Sequence, residues 1–108
     1  MKNGIFKATL TTKGRKTGKK HTVLLRAVVY DGKIYFSRRD QNSDWLKNAI
    51  TNPEVTVSFD NKTHSGIASL VTDTTLAKKI SELKYPGEKR ARESRIVLQV
   101  ELDISHTT

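Results

Sequence analysis

The stretch from Lys13 to Lys20 is the part of the chain whose residue types point most directly to chemistry. It carries five positive charges, and glycines at 14 and 18 permit a tight turn with outward-facing N–H groups. Arginine can pair with a phosphate through two hydrogen bonds, lysine can neutralise it, and a threonine hydroxyl adds a donor. The pattern therefore predicts an anion site made by four side chains: Lys13, Arg15, Lys16 and Thr17.

The alternative for this stretch is a solvated hairpin loop whose lysines only serve solubility. The spacing G-x-x-x-x-G-K-[ST] of a nucleotide-binding P-loop is missing from it. The first twenty-six residues nevertheless hold eight Lys or Arg and no acidic residue. Such an excess favours an anionic partner.

A second cationic group lies further along the chain. Arg38 and Arg39 follow Ser37 at the end of the third predicted strand, ahead of a predicted helix that carries Trp45. Two arginines that face a helix N-terminus make a second potential anion site. The alternative is that the two arginines are surface charges and that the tryptophan occupies the core, since a lone tryptophan on a helix usually packs inward.

Composition excludes several classes of chemistry. The chain contains no cysteine, which excludes disulfides, thiolate nucleophiles and iron–sulfur clusters. Its three histidines are widely spaced, so no metal site is expected. A net charge of +9 implies a phosphorylated molecule, a nucleic acid or a lipid surface as partner. No apolar run is long enough to span a membrane and no signal peptide is apparent, so we expect a cytoplasmic protein.

Alternating apolar residues and turn signals predict the elements that position these groups. Asp31-Gly32 is the strongest hairpin signal, because both turn positions need positive φ. Helical spacing follows Ser43, a candidate N-cap, and again follows Thr72 or Asp73. Six strands are expected, at 5–12, 22–30, 33–37, 54–59, 63–71 and 95–102, and two helices, at 43–50 and 72–83. Short strands with few helices indicate one domain over residues 1–108, a closed or nearly closed antiparallel barrel.

Two blocks of sequence resemble a known family. The run Thr11–Lys19 is similar to the T-T-x-G-R-K-[ST]-G signature of deazaflavin-dependent nitroreductases. Trp45, Asn48 and the run 52–55 are similar to that family's W-x-x-N-L-x-x-N-P-x-V. Because both blocks occur in order with matching intervals, the chain is identified as a member of the flavin/deazaflavin oxidoreductase superfamily.

The resemblance implies a fold and a cofactor. The fold is mainly β: a six-stranded antiparallel split β-barrel with two short helices, acting as a homodimer. The implied cofactor is the deazaflavin coenzyme F-420, or FMN as in some relatives, bound in a groove near the subunit interface. The basic stretch would hold its phosphate, and the backbone from His21 to Leu24 would lie against its ring system. Other implied groove residues are Ser37, Arg38, Arg39 and Trp45.

The implied activity is hydride transfer from the reduced coenzyme to an organic acceptor such as a quinone, a nitro compound or an activated alkene. FMN-binding split barrels have a lysine two residues after a serine in this region. Trp45 takes that place here, which favours the deazaflavin. No general acid can be assigned, because Tyr30, Tyr35 and Tyr85 are each typical barrel or loop residues.

Three other functions remain open at this point. An FMN-binding reductase and a cofactor carrier without turnover would use the same barrel. A non-enzymatic nucleic-acid-binding barrel would stack bases on Phe6, Tyr35 and Trp45. Aromatic residues make up only 6% of the chain and none lies within the basic stretch, which disfavours nucleic acid.

Overall fold

A computed structural model describes residues 4–38, 43–89 and 95–103. Its strands are β1 (Gly4–Lys13), β2 (Lys20–Tyr30), β3 (Lys33–Arg38), β4 (Glu54–Phe59), β5 (Lys62–Leu70) and β6 (Ile96–Leu102), and its helices are α1 (Asp44–Thr51) and α2 (Thr74–Lys84). The strands form a closed barrel in the order β1-β2-β3-β6-β5-β4, with every neighbouring pair antiparallel. The predicted mainly β, six-stranded antiparallel barrel with two helices is confirmed.

Two tight turns set the strand register. Asp31 and Gly32 have φ values of 52° and 76°, which is the left-handed backbone that the Asp-Gly signal predicts between β2 and β3. Asp60 and Asn61 have φ values of 51° and 59° between β4 and β5. Asp and Asn tolerate this region better than other non-glycine residues, so short polar turns suffice here.

The core follows from the alternation of apolar residues along the strands. Side chains such as Leu10, Phe36 and Val100 point into the barrel and are almost fully buried. Helix α1 contributes Trp45, Leu46 and Ala49 to the same cluster. Helix α2 covers the outside of the barrel, where Ile80 packs with three strand residues: Val28, Tyr35 and Val97.

The two helices begin differently. Asp73 caps α2, because its carboxylate accepts the N–H groups of Thr75 at 2.9 Å and Leu76 at 3.3 Å. Ser43 holds the N-cap position of α1 as predicted, yet its side chain makes no capping hydrogen bond. Its hydroxyl oxygen instead accepts Nε–H of Arg38 at 3.0 Å. The end of β3 is thereby tied to the start of α1.

The barrel closes between β2 and β3 through a short ladder only, and we call the place where the two strands part beyond it the split. Val28–Tyr30 of β2 pair with Lys33–Tyr35 of β3, whereas β2 pairs with β1 from Lys20 to Val29. Continuing the register would set Arg26 opposite Ser37, but the described residues form no ladder there. We call residues 20–27 on the side toward β3 the free edge of β2. At this edge, backbone N–H and C=O groups of the sheet can form hydrogen bonds with a ligand.

Gly66 gives a test of the barrel's packing. A Cβ atom there would lie 2.7 Å from Cγ1 of Val100 and 3.0 Å from the carbonyl oxygen of Glu101. We expect Gly66→Ala to lower the free energy of unfolding in urea by roughly 1–3 kcal/mol, the usual cost of overpacking. Gly4→Ala is the matched control, because a Cβ at Gly4 meets no atom within 4 Å. Equal stability of the two variants would contradict the β5–β6 contact.

Candidate functional site

The basic turn, defined as residues 13–20, has an ordered backbone. The N–H of Gly18 donates to the carbonyl of Gly14 at 2.9 Å, and the N–H of Gly14 donates to the carbonyl of Lys19 at 2.7 Å. Thr17 Oγ1 accepts the N–H of Lys19 at 3.2 Å, so its own hydroxyl proton is available to another acceptor. The bond from Gly18 to Gly14 thus closes one helical turn around residues 15–17.

Two asparagines of α1 hold the basic turn in place. Asn48 is buried, and its Oδ1 accepts the backbone N–H of Arg15 at 3.3 Å and Nη1–H of the same residue at 2.8 Å. Its Nδ2 donates to Oγ1 of Thr12 at 3.4 Å. Asn52 Nδ2 donates to the carbonyl of Lys13 at 3.2 Å. The two sequence blocks that carry the family resemblance are therefore in direct contact.

Arg15 has a second partner within the chain. Its Nη2 lies 3.5 Å from Oδ1 of Asp44, whose side chain is 87% exposed. An ion pair this exposed contributes little, so an incoming anion can replace the carboxylate. Lys16 is exposed on the same turn. No ion pair involves Lys13 or Lys16 among the described residues, so both charges are available to a ligand.

Histidine 21 packs against the basic turn. A Cβ atom on Gly14 would lie 3.0 Å from Nε2 of His21 and 3.1 Å from Oγ1 of Thr17. Thr17 of the turn and His21 of β2 therefore both lie close to this glycine. The structure brings five predicted site residues together here: Lys13, Arg15, Lys16, Thr17 and His21.

The second cationic group meets the first at the start of α1. Arg38 contacts Ser43 and Arg15 contacts Asp44, so one arginine from the end of β3 and one from the basic turn flank the start of this helix. A helix N-terminus favours negative charge, and flanking arginines strengthen that preference. Arg39 lies outside the described residues, and its role stays a prediction.

Trp45 occupies the core. It is 7% exposed and packs edge-on against Phe36, with ring centroids 6.3 Å apart. Trp45 is therefore a core residue, which is the alternative that the sequence predicted for it. It supports the site by fixing α1, and a direct contact with a ligand stays a prediction.

Two functional side chains were missed by the sequence analysis, Asn48 as an anchor of the basic turn and Lys84. Lys84 is 7% exposed, and its Nζ donates to both the carbonyl oxygen and Oγ of Ser37, each at 3.1 Å. Burial lowers the pKa of Lys84, the nearby Arg95 and Arg26 lower it further, and Tyr85 opposes the shift. Three cations surround the Tyr85 ring, at 4.7 Å for Arg95, 5.3 Å for Lys84 and 5.7 Å for Arg26.

A signal for each missed residue was present in the sequence. Asn48 is a polar residue on the apolar face of α1, beside Leu46 and Ala49. Lys84 stands four residues after Ile80, which puts it on the buried stripe of α2. A polar or charged residue on an apolar stripe indicates a specific hydrogen-bonding role.

A groove of about 990 Å³ adjoins the basic turn. Its lining includes Lys13 and Lys20 together with Glu54, Glu101 and Asp103. Lys13 is the one predicted site residue among its lining residues. The carboxylates make this groove less suited to an anion than the basic turn.

No helix in the described part of the chain is long and apolar enough to cross a membrane.

Solved structures share this fold. A structure titled "domain-swapped dimer" is 24% identical, with a TM-score of 0.72 over 88% of this chain and 79% of that chain. An F420-H2 dependent reductase, FDR-A, is also 24% identical, with a TM-score of 0.70 over 88% and 93%. General stress protein 26 from Bacillus anthracis str. Sterne is 21% identical, with a TM-score of 0.67 over 93% and 81%. The barrel fold is therefore shared with these structures. A comparison with curated proteins gave no match.

The family is shown by the sequence itself. Residues 2–102 match the F420H2-dependent quinone reductase family, and the chain belongs to that family. It is a deazaflavin-dependent oxidoreductase, and its cofactor is coenzyme F-420. The activity and the cofactor implied by the sequence resemblance are confirmed, and FMN remains only an alternative cofactor.

Proposed function

We propose that the basic turn and the free edge of β2 form the coenzyme site and that the hydride acceptor is a small quinone. The observation that carries the site is the contact between the two sequence blocks: Asn48 and Asn52 fix the turn beside the start of α1. The quinone is favoured by the family to which the chain belongs. A nitro compound or an activated alkene would use the same hydride chemistry.

The donor set of the basic turn fits a phosphate. Lys13 and Lys16 supply exposed charge, Arg15 a fork, and Thr17 a hydroxyl proton not used within the turn. Arg38 adds charge from the other side of the α1 N-terminus. Each charge-assisted hydrogen bond contributes about 1.5–3 kcal/mol, so three strong ones together approach the roughly 8 kcal/mol of a micromolar dissociation constant.

The free edge of β2 fits the ring system. Backbone N–H and C=O groups from His21 to Leu24 have no ladder partner on the β3 side among the described residues. Carbonyl and N–H groups on a planar heterocycle can pair with such an edge, as an added strand would. The coenzyme supplies the hydride chemistry, and the chain orients it and excludes water.

Tyr35 is poorly placed to act as a general acid. Tyr35 Oη donates to Oε1 of Gln99 at 3.2 Å on the face covered by α2. Burial raises the pKa of Tyr35, with Asp31 and Tyr30 adding to the shift. A hydroxyl so engaged and so weakly acidic serves packing rather than proton transfer at neutral pH.

We further propose that the chain acts as a homodimer in the cytoplasm. A structural neighbour is titled a domain-swapped dimer, and the exposed apolar side chains of Leu24 and Ile67 would benefit from coverage by a second copy. Size-exclusion chromatography with light scattering tests the dimer. A monomer at all concentrations would contradict it.

Titration with coenzyme tests the site. Oxidised coenzyme F-420 added to the purified protein is expected to change in absorbance and fluorescence with a dissociation constant in the micromolar range. FMN should bind more weakly, and the affinity for F-420 should fall with added salt because phosphate contacts are screened. Coenzyme binding that does not respond to salt would move the phosphate away from the basic turn. No binding at all would contradict the proposed site.

A further inference from the structure

The carbonyl group of Ser37 points toward the free edge of β2. In the β3–β6 ladder Ser37 stands opposite Val97, and the carbonyl of Val97 accepts the N–H of Val71 on the other side, at 2.9 Å. This makes Ser37 and Val97 a non-hydrogen-bonded pair, so the N–H and C=O of Ser37 point away from β6. Two residues earlier, Tyr35 still faces Val28 of β2. Ser37 is therefore the first residue of β3 whose backbone N–H and C=O point toward β2 without a paired β2 residue opposite them.

Lys84 takes the place of that partner. Its Nζ lies 3.1 Å from the carbonyl oxygen of Ser37, where a β2 backbone donor would otherwise stand. The side chain comes from the last residue of α2 and reaches the point where the two strands part. Lys84 thus satisfies a buried carbonyl that the split would leave without a donor.

The burial of this ammonium group costs stability. Ser37 is 5% exposed, and Lys84 has no ion pair with a carboxylate in the ranges that the structure describes. Arg26 and Arg95 lie against the same tyrosine ring, so the surroundings add positive charge. A buried charge without a counter-charge carries a desolvation cost, and groups held at such a cost cluster at functional sites.

The second hydrogen bond of Lys84 sets the direction of the Ser37 proton. Nζ donates to Oγ of Ser37 at 3.1 Å, so this oxygen acts as acceptor toward Lys84 and its own proton must point elsewhere. A hydroxyl that accepts from a cation is a stronger donor, because hydrogen bonds in a chain polarise one another. In the continued register Ser37 of β3 stands opposite Arg26, at the end of the free edge of β2.

We propose that Lys84 is a positioning residue for the reductase: it holds Ser37 so that its hydroxyl donates to a carbonyl oxygen of the molecule bound along the free edge of β2. This inference rests on the proposed coenzyme site. The carbonyl belongs either to the deazaflavin ring or to the quinone acceptor, and the two sources are separated by experiment. Lys84 acts through Ser37 and touches neither molecule.

A double-mutant cycle on quinone reduction tests the pair. Lys84→Met keeps the length of the side chain and removes the donor, and Ser37→Ala removes the hydroxyl. Each is expected to lower kcat/KM about tenfold or more, the effect of losing one charge-assisted hydrogen bond. The double variant should be no worse than Ser37→Ala, because the two residues act as a unit. Lys79→Met, at an exposed position of α2, is the control and should match the wild type.

The same variants identify the source of the carbonyl. A rise in the coenzyme dissociation constant in both variants assigns it to the deazaflavin. An unchanged coenzyme dissociation constant with a lower kcat/KM for the quinone assigns it to the acceptor. Wild-type kinetics in Lys84→Met, or multiplicative losses in the double variant, would overturn the proposal while leaving the coenzyme site intact. Absence of coenzyme binding by the wild type would instead refute the site.

Folding of the variants is checked by thermal unfolding. If Lys84→Met does not fold, Lys84→Gln keeps a neutral donor and enters the same cycle. The expected result is then a smaller loss of kcat/KM that again vanishes in the Ser37→Ala background. Multiplicative losses in this cycle would mean that Lys84 serves the fold alone.

Discussion

Asn48→Ala is expected to lower both the free energy of unfolding and the affinity for coenzyme F-420. The side chain makes three hydrogen bonds, two of them to Arg15 and one to Thr12. Their loss inside a buried site should destabilise the fold by about 2–4 kcal/mol. The released basic turn should then bind the coenzyme at least about tenfold more weakly, because ordering it again costs free energy. Urea denaturation and coenzyme titration measure the two effects.

Asn52→Ala is the control for Asn48→Ala and should lower the stability by a smaller amount. Its side chain makes one exposed hydrogen bond to the Lys13 carbonyl, so about 1 kcal/mol of stability should be lost. Alanine is the best helix former, so a larger loss in Asn48→Ala cannot arise from helix propensity. A destabilised Asn48→Ala protein that still binds coenzyme like the wild type would show that the turn is not the coenzyme anchor.

Local patterns were sufficient to predict most of the barrel. Strand alternation is a period-two signal that holds wherever one face is buried, and Asp31-Gly32 has few conformations open to it other than a hairpin turn. The bounds of the strands were accordingly close to those in the structure. The split between β2 and β3 could not be predicted from the residues, because it depends on where two strands diverge in space.

The sequence predicts the charged residues of the site but not the hydrogen-bond and ion-pair partners of those charges. The charges of Arg15 and Lys16 are visible in the sequence, whereas the partner of each charge is set by tertiary contacts. Arg15 was predicted to bind the anion, and it also contacts Asn48 and Asp44. Lys84 fell outside the predicted second helix, which ended at Leu83, and so was not recognised as part of the buried stripe. Because the predicted helix ended one residue too early, Lys84 was interpreted as a surface residue.

Removing two of the five charges of the basic turn gives the second large effect. We expect the double variant Arg15→Ala/Lys16→Ala to bind coenzyme F-420 about a hundredfold more weakly, with each single change costing about tenfold. The two single variants should differ in stability. Lys16 is exposed and its loss should leave the urea midpoint unchanged, whereas Arg15→Ala removes the 2.8 Å bond to Asn48 and should lower it. Lys79→Ala, an exposed lysine of α2, controls for net charge.

Salt and Asp44 distinguish a phosphate anchor from a merely positive surface. The affinity lost in Lys16→Ala should shrink as ionic strength rises, because an exposed charge is screened over about 10 Å at 0.1 M salt. The loss in Arg15→Ala should persist, since a forked hydrogen bond is short-ranged and partly desolvated. Asp44→Asn should strengthen coenzyme binding, because it removes the carboxylate that competes for Arg15 at 3.5 Å. If Asp44→Asn weakens binding instead, the carboxylate orients Arg15 rather than competing with the phosphate, and the guanidinium fork must approach the coenzyme from its other side.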